Sequence, residues 1–161
     1  MNRLIQSSPR SKKQNQTGSV LLEALISIVI FSMGILAIIG LQAASVRASS
    51  DAKYRTEAGF FANELIGRMW VSDRTPATLK ANYAGISGTG GTLYTEWAGN
   101  LSSPAAGTVM ADLPNARIYP PNVVIDTISN THQSSKVTIT IFWKLPGEST
   151  IHQYQTIAQI S

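Results

Sequence analysis

Hydrophobic and polar positions along this chain fall into three regimes. From Val20 to Leu41 the residues are almost continuously apolar, interrupted only by Glu23, Ser27, Ser32, Gly34 and Gly40. No charge occurs between Ala24 and Val46, a stretch that as an α-helix would measure about 34 Å, enough for a hydrocarbon core of about 30 Å. This regime predicts one membrane-spanning helix. From Gln42 to Val71 the helical spacing continues, with Arg47, Asp51, Lys53, Arg55, Glu57, Glu64 and Arg68 now set between apolar residues. Ala58, Phe61, Ala62, Leu65, Ile66 and Met69 recur at intervals of three and four and mark one buried stripe of an amphipathic helix. Read as one helix, Ser19 to Val71 would be about 80 Å long, half of it in the membrane and half packed on a domain. The aromatics Phe60, Phe61 and Trp70 are expected in core or subunit contact.

The third regime has period two. Val123 to Ile128 reads as one strand and Lys136 to Lys144 as a second, with Val137, Ile139, Ile141 and Trp143 on one face. Leu145-Pro146-Gly147-Glu148 is a turn, and a third strand runs from about Thr150 to Ile160. The expected fold class is α+β: the long N-terminal helix packed on a small antiparallel sheet, a head of strands between 123 and 160. Between helix and strands lies a variable loop region, 72–122. Pro76 biases Thr75 away from helical angles and ends the long helix, after which a short helix capped by Thr75 and closed by Gly85 is expected. Gly85 to Thr92, with Gly88-Thr89-Gly90-Gly91, reads as a flexible surface loop. It lacks the preceding strand and following Lys of a phosphate loop. A second short helix is expected between Leu93 and Leu101, around Trp97.

Charge sharpens the N-terminal reading. The net charge of +4 would ordinarily suggest an anionic partner, yet Arg3, Arg10, Lys12 and Lys13 lie in a leader without acids. Removing those four leaves nine basic against nine acidic residues, so residues 19–161 are formally neutral and no nucleic-acid partner is expected. The basic leader predicts a cytoplasmic N-terminus and a head on the far side of the membrane. The absence of cysteine excludes disulfides, thiolate zinc sites and thiol catalysis.

Residues 1–18 and the apolar run admit three readings: a secretory signal peptide, an uncleaved anchor, or a leader cut just before the apolar run. Length and Glu23 argue against the first, because a signal core is about 7 to 15 residues without an internal acid. Gly18-Ser19 offers an unbranched backbone that a protease could accept. Glu23 lies one helical turn beyond Ser19 on the same face. A carboxylate within a membrane is costly and calls for a partner. A cut after Gly18 would create one, since a new α-amino group at Ser19, with a reference pKa of about 7.7 to 8.0, is largely positive near neutral pH. The uncleaved alternative has Glu23 snorkelling toward headgroups beside Lys12 and Lys13.

Gly18-Ser19, Glu23 at the fifth position after the cut, and the long apolar helix resemble the class III leader and N-terminus of type IV prepilins and type II secretion pseudopilins. Ser32-Met33-Gly34-Ile35-Leu36, Gly40-Leu41-Gln42, Tyr54-Arg55 and Ala62 to Met69 further resemble minor pilins of the PilV type, as does the turn at Leu113-Pro114-Asn115-Ala116. The resemblance implies a pilin-like fold, with a cleaved leader (1–18), a transmembrane and filament-core helix (19–46), its amphipathic continuation (47–71) and a globular head (72–161). It implies cleavage between Gly18 and Ser19 by a prepilin peptidase, and a register-setting role for Glu23 against the α-amino group of a neighbouring subunit. The family usually begins its mature chain with Phe; Ser19 stands there and is the N-methylation candidate by position. Partners implied are the other minor pilins, the major pilin, the pilus assembly platform and a tip adhesin. The implied location is the inner membrane as a single pass, then the pilus at the cell surface, with twitching motility and adhesion as outputs. A minor pseudopilin of a type II secretion system shares every N-terminal feature, and a single-span anchored periplasmic binding module is the reading from another class. Gly34 and Gly40 weaken the helix by about 0.5 to 1 kcal/mol each and serve either close packing or local melting in a fibre.

The head offers little chemistry to the sequence reader. His132 and His152 are the only histidines, both expected as exposed polar residues, and no metal spacing, triad order or nucleophile elbow emerges. Neither a catalytic residue nor a cofactor is expected.

Overall fold

The computed structural model describes residues 17–129 and 134–161. Four helices and five strands follow one another as α1 (Thr17–Val71), α2 (Pro76–Tyr83), β1 (Gly85–Ile86), β2 (Thr89–Gly90), α3 (Thr92–Ala98), α4 (Val109–Asp112), β3 (Asn122–Ser129), β4 (Ser134–Trp143) and β5 (His152–Ile160). The layout is α+β, a long N-terminal apolar helix and a small antiparallel sheet. The chain divides into two compact units, Met1–Val46 and Arg47–Ser161.

In the first unit, described from Thr17, every residue from Gly18 to Val46 is exposed. Ser32 donates its hydroxyl to the Ile28 carbonyl at 2.7 Å, so the polar group is satisfied inside the helix itself. A Cβ added at Gly34 or Gly40 would meet nothing within 4 Å.

In the second unit the stripe of α1 enters the core: Ala58, Phe61, Ala62, Leu65 and Met69 are buried and Ile66 partly so. The three aromatics separate. Phe61 is buried, whereas Phe60 and Trp70, one position before and nine after it, point away from the stripe and remain exposed. Helix α1 stops at Val71, and the chain is re-set by Asp73, whose carboxylate accepts the Thr75 backbone N–H at 3.0 Å and the Thr78 hydroxyl at 3.1 Å. These bonds hold the Asp73 carboxyl below its ordinary range, the Thr75 N–H contributing most. Thr75 stands at the expected N-cap of α2, but its hydroxyl donates to the Thr78 hydroxyl and makes no bond to the helix backbone. The helix closes one residue before Gly85, at Ala84.

The sheet has five strands in the order β2-β1-β3-β4-β5, all antiparallel, where the periodicity led us to expect three. The addition comes from the glycine-rich segment, and the expectation of a flexible loop there is corrected. Ser87 and Gly88 adopt φ of 54° and 81°, the positive values that a tight two-residue hairpin demands, so Ile86 pairs with Thr89 and Gly85 with Gly90. Gly85 also pairs with Val123, joining the hairpin to β3. The glycines are needed for closeness. The Tyr94 ring lies where a Cβ on Gly85 would stand, and a Cβ on Gly91 would lie 2.3 Å from the carbonyl oxygens of Ala81 and Asn82.

Strand β4 alternates as expected, burying Val137, Ile139, Ile141 and Trp143, and starts earlier, at Ser134. Its buried face, with Val123, Ile125 and Ile160, forms one core with the α1 stripe, Leu79, Tyr83, Tyr94, Trp97, Val109, Met110 and Leu113. Two bonds tie the aromatics into place: Trp97 Nε1 donates to the Phe61 carbonyl at 2.9 Å, and the Tyr94 hydroxyl donates to the Pro121 carbonyl at 2.6 Å. The turn expected at Leu113 to Ala116 is present, with Asn115 at φ 59° donating its amide to the Lys144 carbonyl at 2.7 Å. Helix α4, a single turn, has no periodicity long enough to announce it.

Candidate functional site

Gly18, Ser19 and Glu23 lie in the first two turns of α1. Among the described residues, nothing beyond its chain neighbours and the helix's own backbone lies within 4 Å of where a Cβ on Gly18 would stand. The i, i+4 relation puts Ser19 and Glu23 on one face of α1, both exposed. Directly after Glu23 begins the uncharged stretch, with Leu25, Ile28, Ile30, Phe31, Met33, Leu36 and Leu41 each at least 60 % exposed. A surface this apolar on a single chain demands lipid or protein against it. By length and composition α1 is the one helix among the described residues able to cross a membrane. The first unit therefore combines an accessible glycine step, an acid one turn on, and an unpartnered apolar surface.

The second unit holds a cluster that the sequence did not disclose. His152 opens β5, half-buried rather than exposed, with its ring stacked on Trp143 at 5.8 Å between centroids and 15° between planes. Its Nε2 lies 2.8 Å from Glu148 Oε2 and its Nδ1 lies 3.0 Å from Asp51 Oδ1. The Asp51 oxygen meets Nδ1 off the hydrogen-bonding direction and has no other partner. A protonated imidazole would pair with both carboxylates and join α1 to the turn before β5. The signal that could have found part of it is local: Glu148 and His152 are four residues apart, with Ser149, Thr150 and Ile151 between them. Asp51 is about a hundred residues away in sequence, and only the packing of α1 brings it in. His132 lies outside the described residues.

Only the Nε2 contact to Glu148 has hydrogen-bond geometry, while Asp51 stands beside Nδ1 as a near charge, so the cluster brings α1, the turn before β5 and the start of β5 together. Among the described residues no group of three His, Asp or Glu could hold a metal ion. An open groove lined by Leu101, Met110, Leu113, Asn115, Arg117 and Ile118 has its only charge, Arg117, turned to the backbone, donating to the carbonyls of Leu101 and Ser102 at 2.8 to 3.1 Å. No family model, curated protein or solved structure matches the chain.

Proposed function

We propose that the chain is a minor type IV pilin of the PilV type. A prepilin peptidase cuts it between Gly18 and Ser19, and it enters a pilus through α1. The observation that carries this reading is the order of features at the start of α1: an accessible Gly-Ser step, Glu23 one turn later, then 23 uncharged residues from Ala24 to Val46. Before cleavage the helix holds the subunit in the inner membrane, with the basic leader in the cytoplasm and the head in the periplasm. Cleavage removes the four leader cations and gives Ser19 an α-amino group, the candidate for N-methylation.

Glu23 then finds its partner in the α-amino group of a neighbouring subunit. Desolvation offsets most of the attraction in such a pair, so its contribution is to register more than to stability. With the other minor pilins the subunit helps to initiate assembly on the platform, ahead of the major pilin, and presents a tip adhesin. The head supplies shape and contacts, and the reading assigns it no enzymatic step.

The test is the N-terminus of the protein from cells that carry a prepilin peptidase. Sequencing is expected to begin at Ser19; a chain still beginning at Met1 would sink the proposal in favour of an anchored binding module. In the same cells Glu23→Ala is expected to be cleaved normally yet be lost from sheared filaments, and normal incorporation would remove the register role. Deletion of the chain should abolish twitching and leave protein secretion intact. The reverse result would make it a pseudopilin.

A further inference from the structure

His152 is set between two acids that belong to separate elements. Its Nε2 stands 2.8 Å from Glu148 Oε2 in the turn after β4, and its Nδ1 stands 3.0 Å from Asp51 Oδ1 on α1. A neutral imidazole carries one N–H and one lone pair, and either tautomer turns that lone pair on a carboxylate oxygen. With the proton on Nε2, Glu148 accepts a hydrogen bond and Asp51 meets the lone pair. With the proton on Nδ1, the lone pair meets Glu148. Only the imidazolium presents an N–H to both. Asp51 Oδ1 has no recourse to water where it lies, being buried and without a hydrogen bond, and a buried carboxylate oxygen without a cation is costly. No other side chain supplies that charge. Arg47 and Arg55 stand one turn before and after Asp51 on α1, but the one further ion pair among the described residues is Arg68 with Glu64. From β4 the ring meets the uncharged indole of Trp143, and Tyr154, the next inward residue of β5, lies against Gly59 of α1.

We propose that His152 is a proton-operated latch: its imidazolium holds the turn between β4 and β5 against α1, and loss of that proton releases the turn. The turn is otherwise lightly tied. For residues 146–151 the one backbone hydrogen bond among the described residues runs from the Glu148 N–H to the Leu145 carbonyl at 3.2 Å. Gly147 reverses the chain with φ 79°. The ring, by contrast, is fixed, stacked on Trp143, the residue it faces across β4 and β5. When the ring becomes neutral, one carboxylate must therefore move away from it. Asp51 is carried by a long helix and its oxygen is buried, so the remaining N–H stays toward Asp51 and Glu148 leaves for water with the turn. Imidazole is the side chain that ordinarily changes charge between about pH 5 and 8. A proton bound by the closed form and given up on opening stabilises closure at the lower pH, so the latch closes as pH falls through that range and opens as it rises. The inference is independent of the pilin reading, since every residue in it belongs to the second unit.

Hydrogen exchange of the full-length protein in detergent tests the latch. It is followed over residues 142–154 at about pH 5.5 and about pH 8 and expressed as protection factors, which remove the intrinsic pH dependence of exchange. Protection is expected to fall about tenfold at the higher pH, the fold-change carried by one hydrogen bond to a charged group. His152→Gln, which has no proton to gain, is expected to show no such fall. Asp51→Asn is expected to keep the turn closed at both pH values, because its amide N–H can meet the lone pair of the neutral ring while Glu148 keeps the Nε2 proton. His132→Gln, which alters the chain's other histidine, is expected to respond as the wild type does. A cooperative melt of each variant reports that the head is folded, and Asp51→Asn keeps the test decisive should His152→Gln lower the melting temperature. Equal protection at the two pH values in the wild type, or a wild-type fall retained by His152→Gln or by Asp51→Asn, would overturn the proposal.

Discussion

Tyr94 illustrates how one side chain can serve the core and the sheet together. Its ring fills the space left by the missing side chain of Gly85, and its hydroxyl donates to the Pro121 carbonyl just before β3. Burial pushes its pKa up to about 12, with the Gly88 backbone pulling weakly the other way. Because the folded-state value is raised above the ordinary value of about 10, its contribution is full below pH 10 and is lost as pH rises through about 12. Tyr94→Phe is therefore expected to flatten the alkaline limb of stability against pH between about 10 and 12. It should also cost about 1 to 3 kcal/mol at neutral pH, because the Pro121 carbonyl loses its donor. Denaturant unfolding followed across that pH range checks both, and an unchanged alkaline limb would reject the assignment.

At the scale of elements, the glycine-rich hairpin and α1 show opposite uses of the same residue. Gly91 has an ordinary φ of −64°, so its requirement comes from the carbonyls of Ala81 and Asn82 pressed against it. Gly91→Ala is expected to destabilise the second unit by about 1 to 3 kcal/mol, since those neighbours are backbone and give way only by moving α2. Gly67, in α1 with nothing within 4 Å, is the contrast. Gly67→Ala should stabilise by up to about 1 kcal/mol through helix propensity and reduced unfolded-state entropy. Thermal unfolding of the two variants side by side is the measurement; equal effects would mean that close approach does not govern Gly91. Periodicity identifies β3, β4 and β5 because each is long enough to alternate. It cannot identify β1 and β2, two residues each, whose existence depends on a turn with two positive φ values and on a pairing partner at Val123, 38 residues beyond Gly85.

At the scale of the whole molecule, every member of the buried core lies between Ala58 and Ile160, within the unit Arg47–Ser161. A fragment beginning at Arg47 is thus expected to be soluble without detergent and to unfold in one cooperative transition, as small domains do. Calorimetry or far-UV dichroism checks it, and a gradual, non-cooperative melt would show that residues before Arg47 are needed for the fold. The apolar helix, the α1 stripe, the antiparallel strands and the Gly18, Ser19 and Glu23 spacing were all determined by the sequence itself. Each is a local matter of period or composition, set by residues a few positions apart. Tertiary structure alone decided that His152 meets Asp51 as well as Glu148, that the glycine segment joins the sheet, and that β5 stands last in the strand order. Those features depend on contacts between residues tens of positions apart, whose pairing arises only when apolar surface on separate elements is buried together.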